Sequence, residues 1–244
     1  MDDRQEHEKD GDIAENRSRQ RLNVQIPADE MILEGDLIIP KDLRGIVLFA
    51  HGSGSSRHSP RNQYVARVLQ DAGIATLLFD LLSEEEEFLD RETGHLRFNI
   101  DILAKRLLQA ATWIVRLPQM EDVKLGFFGA STGAAAALVA ASEIEGSRKD
   151  TAAVVSRGGR PDLAGPALGN VQTPTLLIVG GNDQAVLELN REAFSQLPCE
   201  KRLEIVPGAT HLFEEPGALE EVARLARHWF EWHLGRRKNQ IQAA

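Results

Sequence analysis

Ser131 stands in Gly129-Ala130-Ser131-Thr132-Gly133, between the apolar run Val123 to Phe128 and the Ala-rich stretch Ala134 to Ala137. A serine hydroxyl is a weak nucleophile until a base takes its proton and a third group orients that base. A small-x-Ser-x-small motif between a strand and a helix supplies the exposure: the serine sits on a sharp, strained turn. Small residues two before and two after are required because the chain packs too closely there for side chains. The turn also sets Ser131 at a helix N-terminus, where developing negative charge is favoured. Two further residues complete a constellation. Asp183 ends Val179-Gly180-Gly181-Asn182-Asp183, and His211 ends Pro207-Gly208-Ala209-Thr210-His211. Both lie just past an apolar run, where open α/β sheets build their sites. Taken singly, Asp183 also reads as a turn-former after two glycines, and His211 as a strand-end residue. Order and placement together favour acyl transfer: His211 takes the Ser131 proton, and Asp183 orients the imidazole.

Acyl transfer also needs two N–H groups aimed at the developing oxyanion. One is the amide after the nucleophile, Thr132. The other is expected from the glycine-rich stretch Ala50-His51-Gly52-Ser53-Gly54-Ser55-Ser56. Ser53 is the favoured donor there. Gly54 is the alternative and is placed to touch substrate. His51 is a rival base, but its position before a glycine-rich turn suits bracing of the loop.

The elements that must carry these residues read as α/β. Leu22 to Ile26 alternates apolar and polar residues, and Met31 to Ile39 follows a short turn at Pro27 to Asp29, which together suggest an antiparallel pair at a sheet edge. Continuous apolar runs then recur at Ile46–Ala50, Ile74–Phe79, Val123–Phe128, Ala152–Val155, Thr175–Val179 and Leu203–Val206, as strands buried on both faces do. Helical patterns fall between them, the first starting at Ser59-Pro60, followed by Ile102–Leu117, Ala134–Ser142, Ala185–Leu197 and Pro216–Leu234. The alternation predicts a mostly parallel, doubly wound sheet of about seven to eight strands flanked by helices. The acidic stretch Ser83 to Glu87 reads as a solvated loop, or else as a rim that disfavours anionic substrates.

The chain has 244 residues, 42% of them hydrophobic, with a net charge of −9. That is enough for one sizeable core, and the acidic surface disfavours nucleic acid or an anionic membrane as partner. Residues 1–20 are charged and almost without apolar content, so a mobile arm is expected there, then one domain over 21–236 and a short tail over 237–244. One cysteine, Cys199, excludes an internal disulfide and reads as a partly buried structural thiol. No apolar run approaches the roughly 18 residues of a membrane span, and the N-terminus has no apolar signal segment, so a cytoplasmic location is expected. No metal or cofactor is expected.

Together, His51-Gly52-Ser53-Gly54, the Ser131 motif, Gly181-Asn182-Asp183 and Gly208-Ala209-Thr210-His211-Leu212-Phe213 resemble the dienelactone-hydrolase-like branch of the α/β-hydrolase superfamily. The resemblance covers about residues 22–234. The stretch Val155 to Asp162 is typical of bacterial hydrolase domains sometimes fused to a phosphoribosyltransferase domain, and no segment of that second kind is legible here. The resemblance implies the α/β-hydrolase fold and a small-molecule ester or lactone substrate. True dienelactone hydrolases use a cysteine nucleophile. Ser131 departs from that and favours ordinary ester hydrolysis. Many superfamily members insert a large cap after the strand that follows the nucleophile helix, but only Ser156 to Asn170 fills that interval here, so a small or absent lid is expected. Arg157 and Arg160 lie in it. Salt bridges are the first reading of both; the functional reading has them meet a substrate carboxylate or phosphate, with Arg157 as the substrate contact. Lactone, thioester or peptide hydrolysis on the same site, and a non-catalytic binding role, are the alternative readings, since a fold does not by itself fix a reaction.

Overall fold

The computed structural model describes residues 19–120, 122–144 and 151–235. Eight strands form one sheet: β1 (Arg19–Ala28), β2 (Met31–Pro40), β3 (Gly45–Ala50), β4 (Ile74–Phe79), β5 (Leu125–Ala130), β6 (Thr151–Arg157), β7 (Thr175–Gly180) and β8 (Lys201–Val206). Their spatial order is β1-β2-β4-β3-β5-β6-β7-β8. The first pairings, β1 with β2 and β2 with β4, are antiparallel, and every pairing from β4 to β8 is parallel. The antiparallel edge and the parallel body match the sequence pattern. Of the expected mobile arm, Arg19 and Gln20 begin β1, and the rest lies outside the described residues, as does the expected tail.

Six helices follow in chain order among the described residues: α1 (Pro60–Asp71), α2 (Glu84–Thr93), α3 (Ile100–Ile114), α4 (Thr132–Glu143), α5 (Gln184–Gln196) and α6 (Ala218–Leu234). Helices α3, α4 and α5 contribute to the core on one face of the sheet, and α1 and α6 to the core on the other. Helix α4 is the most enclosed, with every residue from Thr132 to Ala141 buried. Its run of four alanines permits this, since only small side chains let a helix lie so close to a sheet on one side and to α3 on the other.

One expectation needs correction. Ser83 to Glu87 is not a loop: Glu84 begins α2. The Ser83 side chain accepts from the Glu86 N–H, and the Glu86 side chain accepts from the Ser83 N–H, forming a capping box. Four glutamates in the first turn suit the positive end of the helix dipole. In the interval after β6, a 3₁₀ segment over Pro161–Asn170 stands where larger caps insert elsewhere. Cys199 is half-buried, and burial pushes its thiol up.

Candidate active site

Ser131 occupies the turn between β5 and α4 with φ 52° and ψ −120°, a conformation L-residues adopt only under constraint, at a cost of about 1–3 kcal/mol. The flanking glycines explain how it is enforced. A Cβ on Gly129 would lie 2.4 Å from Ala134 Cα, and one on Gly133 would lie 2.2 Å from the Ala50 carbonyl oxygen. The strand, the helix and the end of β3 therefore meet with no room for side chains. Ser131 is the N-cap of α4, yet its side chain caps nothing, so the hydroxyl is not committed to the helix.

The loop after β6 ties this turn down. The Ser131 N–H donates to the Arg157 carbonyl at 3.3 Å, and the Arg160 N–H donates to the Ser131 carbonyl at 3.1 Å. Between them, Gly158 has φ 50°, and a Cβ there would lie 3.0 Å from the His211 carbonyl oxygen and 3.6 Å from the His211 ring carbon Cε1. Gly158 thus touches the His211 loop, while its neighbours hold Ser131.

On the far side, Asp183 is the N-cap of α5, and its side chain also caps nothing. Its carboxylate instead meets His211 Nδ1 at 2.6 Å. Backbone bonds stitch the two loops together: Gly181 N–H to the Val206 carbonyl at 2.8 Å and Asn182 N–H to the Ala209 carbonyl at 2.9 Å. The Asn182 side chain adds a bond to the Gly208 carbonyl at 2.8 Å. With Nδ1–H donated to Asp183, Nε2 is the nitrogen left to take a proton.

The expected oxyanion donors are placed differently from each other. Thr132 is the first residue of α4, where an amide has no intrahelical acceptor. The Ser53 amide is engaged: it donates to Thr132 Oγ1 at 2.9 Å. Two residues 79 apart in sequence thus meet through a side chain. Ser53 and Gly54 are the central residues of a turn closed by the Ser55 N–H on the Gly52 carbonyl at 3.1 Å, with Gly54 at φ 72°. The Gly54 amide has no partner among the described residues.

His51 is buried, 8% exposed. Its Nε2 accepts from the Leu81 N–H at 3.1 Å, which leaves Nδ1–H to donate to the Gly52 carbonyl at 3.0 Å. Burial pushes its pKa below the ordinary value, against the opposing pull of the Gly52 carbonyl and of Asp80 and Glu87. It braces the loop rather than offering a base.

Arg157 is 7% exposed, and its guanidinium reaches α1, where Nη2 donates to Asn62 Oδ1 at 3.1 Å. Desolvation, with Arg61 nearby, pushes its pKa down to about 10. Its Nε is buried without a partner. Arg160 makes a double hydrogen bond to Asp162. Three further residues hold the site without having been singled out in the sequence. Asn62 receives Arg157. Asn190, fully buried on α5, donates to the Gly159 carbonyl at 2.9 Å. Glu215 is held below the ordinary carboxylate range by the Thr210 hydroxyl and by backbone N–H groups of the His211 loop. A polar residue on a helix's apolar face, as at Leu187-Asn190-Ala193, is the one signal that pointed to Asn190. No cluster of three or more metal-ligating side chains is present among the described residues.

The chain is 57% identical to a crystal structure described as dienelactone hydrolase from Anabaena variabilis, with a TM-score of 0.85 over 89% of this chain and all of that one. Est1E from Butyrivibrio proteoclasticus shares the fold at 16% identity, with a TM-score of 0.72 over 86% of this chain and 98% of that one. So does a dienelactone hydrolase-like promiscuous phosphotriesterase from metagenomic libraries, at 17% identity, with a TM-score of 0.72 over 89% of this chain and all of that one. Curated relatives from two strains of Mycobacterium tuberculosis, named as phosphoribosyl transferases, are 57% identical over 211 residues, which is 86% of this chain and 46% of theirs. The chain thus spans about half the length of those relatives. No family model matches.

Proposed function

The chain belongs to the dienelactone-hydrolase-like branch of the α/β-hydrolases, and from that premise we propose that it is a serine hydrolase of small carboxylic esters, working through Ser131, His211 and Asp183. The observation that carries this reading is the 2.6 Å bond between His211 Nδ1 and Asp183, set across Gly158 from a strained serine turn. In the proposed cycle His211 Nε2 takes the Ser131 hydroxyl proton as Oγ bonds to the ester carbonyl carbon. The carbonyl becomes an oxyanion held by the Thr132 amide and an amide of the Ser53-Gly54 turn. Because the Ser53 amide is occupied by the Thr132 hydroxyl, Gly54 is the donor ready to serve, and Ser53 serves once that hydroxyl turns away. Collapse breaks the bond to the alcohol oxygen, which receives the proton from His211. Water then repeats the sequence on the acyl-enzyme, giving up one proton to His211 and releasing the acid with Ser131 restored.

Arg157 enters as a positioning residue, its carbonyl on the Ser131 amide and its side chain on Asn62. Contact with a substrate anion is left to test. The phosphoribosyl transferase name of the longer relatives is assigned, in this reading, to the part of those proteins outside the match. Lactone and thioester hydrolysis would use the same groups, and a substrate panel separates them. The direct test is pre-steady-state turnover of p-nitrophenyl acetate and butyrate. A burst of one p-nitrophenol per chain followed by slower turnover is expected, and absence of both burst and turnover contradicts the reading.

A further inference from the structure

The loop that carries the expected oxyanion donors is also a wall of a cavity of about 300 Å³. The cavity runs from Gly52–Ser56 to α2 and α3, with Leu81, Leu82 and Leu103 among its apolar lining. Gly52 links it to the nucleophile, for a Cβ on Gly52 would lie 3.0 Å from Ser131 Cβ. The volume is at the small end of ligand pockets, suited to part of a substrate rather than all of it.

The strand order decides which part. Asp183 and His211 follow β7 and β8, on one side of β5, whereas the cavity is built from the segments after β3 and β4, on the other. In ester cleavage the histidine must hand its proton to the leaving oxygen, so the alcohol lies on the His211 side. The acyl substituent is then directed away from it, toward β3 and β4. The charges in the wall do not call for a charged acyl group. Asp90 accepts from the Leu96 N–H at 2.6 Å, the Arg97 N–H at 3.1 Å and Arg97 Nε at 2.7 Å, so this pair is already satisfied. Glu87 and Arg91 bring opposite signs to the lining. Elsewhere on α2, Phe88 and Leu89 are exposed, at 67% and 69%, as is Phe98 just beyond it at 59%.

Building on the proposed ester hydrolysis, we propose that this cavity is the acyl-binding site and that it selects uncharged acyl groups with an apolar tail of several carbons. The test measures kcat/KM for p-nitrophenyl acetate, butyrate and hexanoate, and for ethyl and hexyl butyrate. A rise of at least about tenfold from acetate to hexanoate is expected, since each buried methylene adds favourable transfer, with little dependence on the alcohol. Leu103→Phe and Ser55→Trp, which fill the cavity from opposite walls, each lower the hexanoate-to-acetate ratio at least about tenfold, and Leu103→Ala raises it. Thermal unfolding of each variant checks that the fold persists, and the ratio rather than the rate is read. A flat acyl profile, a ratio unmoved by both filling variants, or selectivity that follows the alcohol overturns the proposal while leaving Ser131 as nucleophile, provided a fluorophosphonate still labels Ser131. Without that labelling, the ester reading and the acyl pocket both fall.

Discussion

His51 and His211 each sit in the loop after a parallel strand on the same rim of the sheet, yet they are embedded in opposite ways. His51 is 8% exposed, with both ring nitrogens committed to backbone groups. The His211 side chain is 37% exposed, with one nitrogen on a carboxylate and the other making no hydrogen bond among the described residues. A base must gain and lose a proton in each cycle, so it needs a free nitrogen and a partner that stabilises its charged form. His51 has no free nitrogen, and charging it would cost desolvation and the bond from Leu81, which outweigh the pull of the Gly52 carbonyl, Asp80 and Glu87. In the proposed reading, one fold thus uses the same side chain as a fixed strut and as a proton carrier, and the neighbours decide which.

The widest separation between the two histidines is expected in activity. Ser131→Ala and His211→Ala should each lower kcat by about 10⁴-fold or more, as when one member of a nucleophile–base pair is removed. His51→Ala should lower it by no more than about a hundredfold, through displacement of the loop. Steady-state kinetics on p-nitrophenyl butyrate measure all three, and comparable losses at His51 and His211 would break the distinction. Next in size is Asp183→Asn, which keeps the shape but favours the wrong tautomer of His211. A loss approaching about 10⁴-fold is expected, with melting temperature nearly unchanged.

Gly158→Ala sharpens the comparison from the side of the mobile proton. The new Cβ demands a left-handed conformation and presses on the His211 loop at 3.0 Å. Activity is expected to fall by about ten- to a hundredfold, and stability by about 1 kcal/mol or more. The same substitution at exposed Gly169, where a Cβ meets nothing, should do neither.

The smallest effect belongs to the strut. His51→Ala orphans the buried Leu81 N–H, at a cost of about 1–3 kcal/mol in chemical denaturation. A pH signature accompanies it. Burial lowers the His51 pKa in the folded chain, so the unfolded chain binds the proton first. Stability is therefore lost as pH falls below about 6.5, the ordinary value for histidine. Burial lowers His233 as well, so among the described residues the wild type carries two such contributions and the His51 variant one. An unchanged slope between pH 7 and 5 in the variant would contradict the assigned role.

The parts of this arrangement that could be read in the sequence are those written in local pattern. The apolar runs marked the parallel strands, the glycines around Ser131 marked its turn, and the placement of Asp183 and His211 just past their strands pointed to the pair that meets at 2.6 Å. Helix α2 escaped because four glutamates have no apolar period, although Ser83 and Glu86 had the spacing of a capping box. The start of β1 at Arg19 escaped because polar residues are held there by tertiary partners, Arg19 reaching Gln70 and Asp71. The bond from the Ser53 amide to Thr132, the anchoring of Arg157 by Asn62 and the support of Gly159 by Asn190 join residues far apart in the chain. No local pattern encodes them.

The measurement that bears most directly on Ser131 is covalent trapping. The protein is treated with an alkyl fluorophosphonate, its intact mass is read, and the modified peptide is mapped, for the wild type and for Ser131→Ala. One phosphonyl group per chain on Ser131, absent from the variant, is the expected result. An unmodified wild type, or equal labelling of wild type and variant at another residue, would contradict the account.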